Sequence, residues 1–446
     1  MLPGRPIDPG GSALAIEPAG PVSGTVVAPA SKSVTNRLLV IAALATGTSR
    51  LGRPLLSDDT LAMAAGLRLF GVRIDLSAEA ASVAGTGGVL ERPSGVVGAG
   101  LSGTTMRFLA ALSLLAPGPV TLDGEAPLRR RPLGPLLDVL LEAGAEVHSA
   151  DGHAPVVIKA AGFAGGRLVV DARASSQFAT ALLLVAPYAH HDVELAVENL
   201  GAGGYVEMTL DSMSRFGAAV ERRGDDRFAV TAGAHYRPHD EVVEYDASAA
   251  AHLFSLALAT GGEVTVSNAA ATLQPDASIV ELFGQMGAEV TQAPGGGTTV
   301  RAGQGQLRPV SADLSKTPDQ LPSVAVLAAL ASGVTSLRGL SVARGHETDR
   351  VEAVASELAK LGADVETSAE AMVIRGGRPL HGGVVETYDD HRMAMAFSVL
   401  GAVVPGVSIA SPGCVAKTYP GWWADLASLG VGVRLPPTAQ GTSATP

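Results

Sequence analysis

Six stretches of small and apolar residues recur along the 446-residue chain at a nearly constant period, and that period narrows the architectures open to it. They span 37–45, 107–115, 178–186, 252–259, 324–331 and 393–402. A turn follows each, at Gly47, Gly118, His190, Gly261, Gly333 and Gly406, in steps of 71, 72, 71, 72 and 73 residues. Short alternating runs such as Val120-Thr121-Leu122 and Val264-Thr265-Val266 come next and read as strands. A second series runs in phase. Gly71, Gly144, Gly217, Gly287, Gly362 and Gly430 each follow a helix-like pattern, where glycine is the usual left-handed stop. Before Gly144, the residues Leu133, Leu136, Leu137, Leu140 and Leu141 share one face at helical period. Each unit therefore predicts two helices with strands between them, one apolar all round and buried, the other amphipathic. One unit cannot bury its own apolar surface, whereas six stacked units can.

Composition sets what such a stack can do. Hydrophobic residues make up 47% and charged residues 17%, which excludes a disordered chain and a coiled coil. A net charge of −11 argues against sequence-independent nucleic-acid binding, which depends on basic patches. The single cysteine, Cys414, leaves no disulfide framework and no thiolate-clustered zinc site. No apolar leader opens the chain, so a cytoplasmic protein is expected. The uncharged stretches 393–410 and 320–337 approach the length of a membrane span. Pro405-Gly406 and Ser332-Gly333 interrupt them, so helix, turn and strand are expected instead, with no membrane partner.

Polar residues gather where the six apolar helices open. Ser31-Lys32-Ser33 with Arg37 precede or begin the first, and Gly103-Thr104-Thr105 with Arg107 the second. Ser175-Ser176-Gln177 stand before the third, Asp246 and Ser248 before the fourth, Asp319 before the fifth, and Asp390-His391-Arg392 before the sixth. Capping explains the Ser, Thr and Asp residues. It does not explain Lys32, Arg37, Arg107 and Arg392, because a cation at a helix N-terminus opposes the helix dipole. Cation and helix N-terminus together hold an anion, and that is the stronger reading.

Further basic residues lie on loops: Arg129-Arg130-Arg131, Arg350 and Lys417. The Arg triplet taken alone reads as a solvated face. The run His346-Glu347-Thr348-Asp349-Arg350 places imidazole, carboxylates and guanidinium together, either as an acid/base group with its anion clamp or as a charged helix start. Its spacing is not that of a helical zinc site. Gly98-Ala99-Gly100-Leu101-Ser102-Gly103, with Asp123 twenty residues on, matches a dinucleotide fingerprint. Its preceding strand, Gly95-Val96-Val97, is meagre, and the segment is one of six equivalents in a chain with 54 glycines, so a chance match accounts for it better.

The stretches SKSVTNR (31–37), SGTTMR (102–107), RRRP (129–132), SSQF (175–178), ETDR (347–350), DDHRMAM (389–395) and AKTYP (416–420) resemble the 5-enolpyruvylshikimate-3-phosphate synthase family, in order and at matching spacing from about residue 20 to about 425. The resemblance implies an α/β, two-domain inside-out barrel of the enolpyruvyl transferase type, built of six βαβαββ repeats of about 72 residues. Its domains would be 30–244, and 1–29 plus 245–435, with crossings near Ala30 and Tyr245 and a disordered tail at 436–446. It implies transfer of the carboxyvinyl group of phosphoenolpyruvate to the 5-hydroxyl of shikimate 3-phosphate, with no cofactor and no metal, by a monomer. Position by position, Lys32, Ser33, Arg37, Ser175, Ser176, Gln177, Asp319 and His346 match shikimate-phosphate contacts. Lys32, Gly103, Arg131, Gln177, Arg350, Arg392 and Lys417 match phosphoenolpyruvate contacts. Asp319 matches the proton acceptor and Glu347 the donor, with Lys32 also catalytic.

Four positions depart from the family's commonest pattern: Leu101 and Val342 replace asparagines, Ala202 a serine and His346 a lysine. The histidine form resembles that of high-GC Gram-positive bacteria. The related UDP-N-acetylglucosamine enolpyruvyl transferases carry a loop cysteine in the region of 121–131, and this chain has none there. A non-catalytic repeat scaffold would need no such convergence of acid, base and cation. By resemblance, glyphosate competes with phosphoenolpyruvate, and the glycine at 103 implies sensitivity to it.

Overall fold

All six glycines of the second series adopt positive φ, from +84° at Gly217 to +115° at Gly287. This is the left-handed region that side chains disfavour and that ends a helix cleanly. The computed structural model describes residues 13–434; the expected tail at 436–446 lies outside them. Among the described residues the strands form six four-stranded sheets, none closed into a barrel. All share one pairing pattern, a parallel pair followed by two antiparallel ones. In the third unit, Gly166–Asp171 runs parallel to Val193–Glu198, which pairs antiparallel with Arg227–Val230, itself antiparallel to Val220–Arg222.

Three sheets are completed by strands distant in sequence. Glu241–Val242, after the third unit, joins Thr48–Gly52 of the first. Ser23–Val26 joins Glu263–Val266 of the fourth, and Leu14–Glu17 sits between the strands of the sixth. The six buried helices are Lys32–Leu44, Gly103–Leu112, Gln177–Val185, Ala247–Thr260, Leu321–Leu330 and His391–Gly401. Leu38, Leu39, Val40 and Ile41 are successive and all buried, as a helix apolar on every face requires. Fully burying each such side chain contributes about 1.5–3 kcal/mol.

The buried residues form two cores. One is drawn from positions 38–243, the other from 14–28 and 245–431. The chain passes between them at an antiparallel bridge of Ala30 with Tyr245. Ser31 N–H donates to Glu244 O and Asp246 N–H to Pro29 O, each at 2.8 Å. Gln274 braces the crossing. Its Nε2 donates to Tyr245 O at 2.6 Å and its Oε1 accepts from Ser31 Oγ at 3.0 Å.

The two long uncharged stretches resolve into helix, turn and strand: His391–Gly401 with Val407–Ile409, and Leu321–Leu330 with Gly333–Arg338. Among the described residues no helix is long and apolar enough to cross a membrane. One expectation needs correction. In the helix Gly134–Glu142, Leu141 is exposed and Val139 is buried in its place. The buried arc is centred between Leu136 and Leu140, which leaves Leu141 outside its edge. The strand before the glycine-rich run is shorter than its sequence suggested, only Val97–Gly98.

Candidate active site

The helix openings meet between the two cores. Capping and cation clustering coexist there. Ser31 Oγ accepts from Val34 N–H at 3.4 Å, Ser102 Oγ from Thr105 N–H at 3.2 Å, and Asp246 Oδ1 from Ala249 N–H at 2.8 Å. A narrow cavity of about 80 Å³ is lined by Lys32, Ser33, Arg37, Arg131, Ser175, Ser176, Gln177, Asp319, His346, Glu347, Arg350 and Arg392. Lys417 joins Arg131 and Glu347 around an adjoining recess. Gly103 lies against Arg131: a Cβ there would stand 2.7 Å from Arg131 Nη1. The structure thus brings every expected site residue to one place. Of the Arg triplet only Arg131 is buried here, while Arg129 pairs with Asp123 outside.

Arg350 is the hub. Its Nε donates to Asp390 Oδ2 at 2.7 Å, its Nη1 to Asp319 Oδ1 at 2.6 Å, and its Nη2 to Glu347 Oε2 at 2.9 Å. Asp390 also caps its own helix, accepting from Arg392 N–H at 2.9 Å. Arg392 Nη2 donates to Asp319 Oδ2 at 2.8 Å. Burial alone would raise the carboxyl pKa of Asp319, but Arg392 and Arg350 hold it well below the usual range. Burial likewise opposes ionisation of Glu347, and Lys417, Arg131 and Arg350 overcome it. Lys417 Nζ lies 3.2 Å and Arg131 Nη1 3.6 Å from Glu347 Oε1.

Lys32 Nζ lies 3.2 Å from Asp59 Oδ2. Burial works against its charge, but Asp59 and Glu347 outweigh burial and leave the lysine pKa raised. Lys417, from the other core, reaches across to Leu101 O at 2.7 Å and lies 3.8 Å from Asp59 Oδ1. Arg37 has no carboxylate partner among the described residues. It donates to Thr209 Oγ1 at 2.9 Å, Ser33 O at 2.9 Å and Tyr205 O at 3.0 Å, and burial lowers its pKa to about 10.

His346 Nδ1 lies 2.7 Å from Arg350 Nη1. Burial first, then Arg350, lowers its pKa to about 3, so the ring is neutral and Nδ1 accepts, which puts the proton on Nε2. Of the other departures, Ala202 and Val342 line the cavity, whereas Leu101 lines the adjoining recess and offers its carbonyl to Lys417.

Three contributors escaped the sequence reading. Asp59 stands between lysines from both cores, yet in sequence it is an ordinary acidic residue in a first helical turn. Tyr205 OH donates to Asp276 Oδ2 at 2.7 Å across the cleft. Asp276 Oδ2 also accepts from Ser248 Oγ, and its Oδ1 has no partner among the described residues. A buried aspartate on a short turn leaves no periodic signal. Among the described residues no group of three His, Cys, Asp or Glu side chains is placed to hold a metal ion.

This geometry concentrates buried cations on paired carboxylates, an arrangement suited to anionic substrates and proton transfer. The family model described as EPSP synthase (3-phosphoshikimate 1-carboxyvinyltransferase) matches residues 16–426. A relative named 3-phosphoshikimate 1-carboxyvinyltransferase in Methanoculleus marisnigri is 39% identical over 421 residues, covering 93% of this chain and 99% of its own length. One of the same name in Nostoc punctiforme is 39% identical over 409 residues, covering 90% and 95%. The solved EPSP synthase from Acinetobacter baumannii matches with TM-score 0.80 at 25% identity, over 95% of this chain and all of that one. The enolpyruvyl transferase NikO from Streptomyces tendae, 20% identical with TM-score 0.73 over 96% of this chain and 99% of its own, shares the fold. This chain belongs to the EPSP synthase (3-phosphoshikimate 1-carboxyvinyltransferase) family.

Proposed function

We infer that this chain transfers the carboxyvinyl group of phosphoenolpyruvate to the 5-hydroxyl of shikimate 3-phosphate and releases phosphate, the shikimate-pathway step toward chorismate. The 5-hydroxyl oxygen bonds to carbon 2 of phosphoenolpyruvate while carbon 3 gains a proton. The tetrahedral adduct then loses phosphate from carbon 2 and a proton from carbon 3, restoring the double bond. Both substrates are multiply anionic, and carbon 2 becomes cationic as carbon 3 is protonated. Arginines and lysines can hold the anions, and a carboxylate can both stabilise the cation and move the proton.

The observation that carries this reading is that Asp319 and Glu347 are both tied up by the same arginine, Arg350. Lys32, Arg131, Arg350, Arg392 and Lys417, with the Gly103 backbone, would take phosphoenolpyruvate. Ser33, Arg37, Ser175, Ser176, Gln177 and His346 would take shikimate 3-phosphate, with Lys32, Gln177 and Asp319 at the boundary. A substrate anion that claims Arg350 and Arg392 removes the counter-charge from Asp319, whose proton affinity then rises. Asp319 becomes the acceptor of the 5-hydroxyl proton, and Glu347, released by Lys417 and Arg131, takes up a proton from water, gives it to carbon 3 and recovers one from carbon 3 as phosphate leaves.

The two cores support two domains, 30–244 and 1–29 with 245–435, hinged at the crossing of Ala30 with Tyr245. A monomer remains the proposed working unit, and the single cysteine suits the cytoplasm. Phosphate release assayed with phosphoenolpyruvate and either shikimate 3-phosphate or UDP-N-acetylglucosamine tests the activity. Release with the first acceptor alone is expected, and release only with the second would reassign the substrate.

A further inference from the structure

Arg107 sits behind the cleft. It is buried on the helix Gly103–Leu112 and does not itself line the cavity. Its Nη1 donates to Gln177 Oε1 at 2.7 Å and to Ser175 Oγ at 3.3 Å. Its guanidinium lies over the Phe178 ring, 5.1 Å from the centroid, and its Nε has no partner among the described residues. Among the described residues no carboxylate forms an ion pair with it, and burial pulls its pKa well below that of an ordinary arginine. An uncompensated buried cation destabilises a fold. Packing alone would favour methionine or leucine at this position.

We infer that Arg107 is a positioning residue that fixes the Ser175 hydroxyl and the Gln177 amide as hydrogen-bond donors toward the anionic substrate. The inference rests on the proposed reading of the cleft. A guanidinium can only donate, so whatever it touches must accept. Gln177 Oε1 is thereby turned to Arg107, and the amide Nε2 with its two N–H groups is left to face the cavity, which Gln177 lines. The Ser175 oxygen accepts from Arg107 and from Gln177 N–H at 3.2 Å, so both lone pairs are engaged and its own hydrogen is free to donate outward. An amide or hydroxyl without such a partner presents donor and acceptor about equally, and an acceptor facing an anion repels it. Arg107 removes that ambiguity for two adjacent groups at once. Its effect passes through these two neutral donors.

The test is a mutant cycle read by Michaelis constants and thermal unfolding. Arg107→Met keeps the volume and removes the donors. It is expected to unfold no earlier than the parent, because an unpaired buried charge is gone, while the Michaelis constant for shikimate 3-phosphate rises about 10-fold or more, the scale of a charged hydrogen bond. In a Ser175→Ala/Gln177→Ala background the same substitution should add less than about 2-fold, since the groups it orients are absent. Arg107→Lys, which keeps a donor, should stay closer to the parent than Arg107→Gln does. That pair carries the comparison if the methionine variant does not fold. Losses that simply multiply in the triple variant would overturn the inference, as would early unfolding with an unchanged Michaelis constant. A parent that turns over neither substrate would instead sink the reading of the reaction, and this inference with it.

Discussion

Arg392 Nη2 stands 2.8 Å from Asp319 Oδ2, a counter-ion pair that a substrate anion would displace on the proposed reading of the cleft. Asp319 binds Arg350 in the same way, at 2.6 Å. On the proposed reading, the carboxylates Asp59, Asp319, Glu347 and Asp390 stand in for part of the negative charge that the substrates bring. They do not supply all of it. Lys32, Arg37, Arg131, Arg350, Arg392 and Lys417 outnumber the carboxylates that pair with them, six to four.

Closure by substrate follows from that imbalance. The cavity of about 80 Å³ is smaller than the roughly 300–1,000 Å³ usual for ligand pockets, so on the proposed reading the two cores would part to admit substrate. Parting breaks the contacts of Lys417 with Leu101 and of Tyr205 with Asp276, and it lets water reach the unpaired cations. A bound polyanion reverses the balance. Small-angle scattering should show a smaller radius of gyration with shikimate 3-phosphate and phosphoenolpyruvate than without them. An unchanged radius at saturation would count against hinge closure.

Gly103 makes a second prediction. A methyl group there meets Arg131 Nη1 at 2.7 Å and Arg107 Nη1 at 3.3 Å. The end of Arg131 is flexible and can retreat, so Gly103→Ala should fold while shifting one anion-binding group. One methyl of misfit is worth roughly 10- to 200-fold in a close-fitting pocket. Glyphosate, longer than phosphoenolpyruvate, should lose more, with its inhibition constant rising further than the Michaelis constant for phosphoenolpyruvate. Equal losses would contradict the steric account, and so would a parent already insensitive to glyphosate.

How much of this could be read from the letters depends on whether a feature repeats. The helix stops at Gly144 and Gly287 were visible because a left-handed residue recurs in every unit. Lys32, Arg37 and Arg392 were visible because a cation at a helix opening contradicts the dipole and asks for another explanation. Asp59 was not, since an acid in a first helical turn already has a reason to be there, and only tertiary packing sets two lysines beside it. Asp276 was hidden for the same reason. Leu141 was misplaced because periodicity gives the face of a helix but not the centre of the arc that neighbours cover.

Asp276 should give the fold a pH dependence of its own. Burial, and then Asp319, raises its pKa to about 6 from an ordinary 3.8. A carboxyl raised in this way contributes its full share of stability below about pH 4 and loses it as pH climbs through about 6, because the folded state disfavours the charged form. The difference is on the order of 3 kcal/mol. Asp276→Asn cannot ionise and should not show it. Denaturant unfolding of both proteins across that range should therefore find the parent losing stability relative to the variant as pH rises. Parallel curves would show that Asp276 is not held in its neutral form by the fold.

The account centres on proton transfer by Asp319 and Glu347 inside a cationic cleft, and steady-state phosphate release from phosphoenolpyruvate with shikimate 3-phosphate tests it most directly. The parent should release phosphate only when both substrates are present. Asp319→Asn and Glu347→Gln should lower kcat about 100- to 10,000-fold, the usual contribution of a general acid or base, with much smaller changes in substrate affinity. Near-parental kcat in Asp319→Asn, or no phosphate release by the parent, would contradict the account.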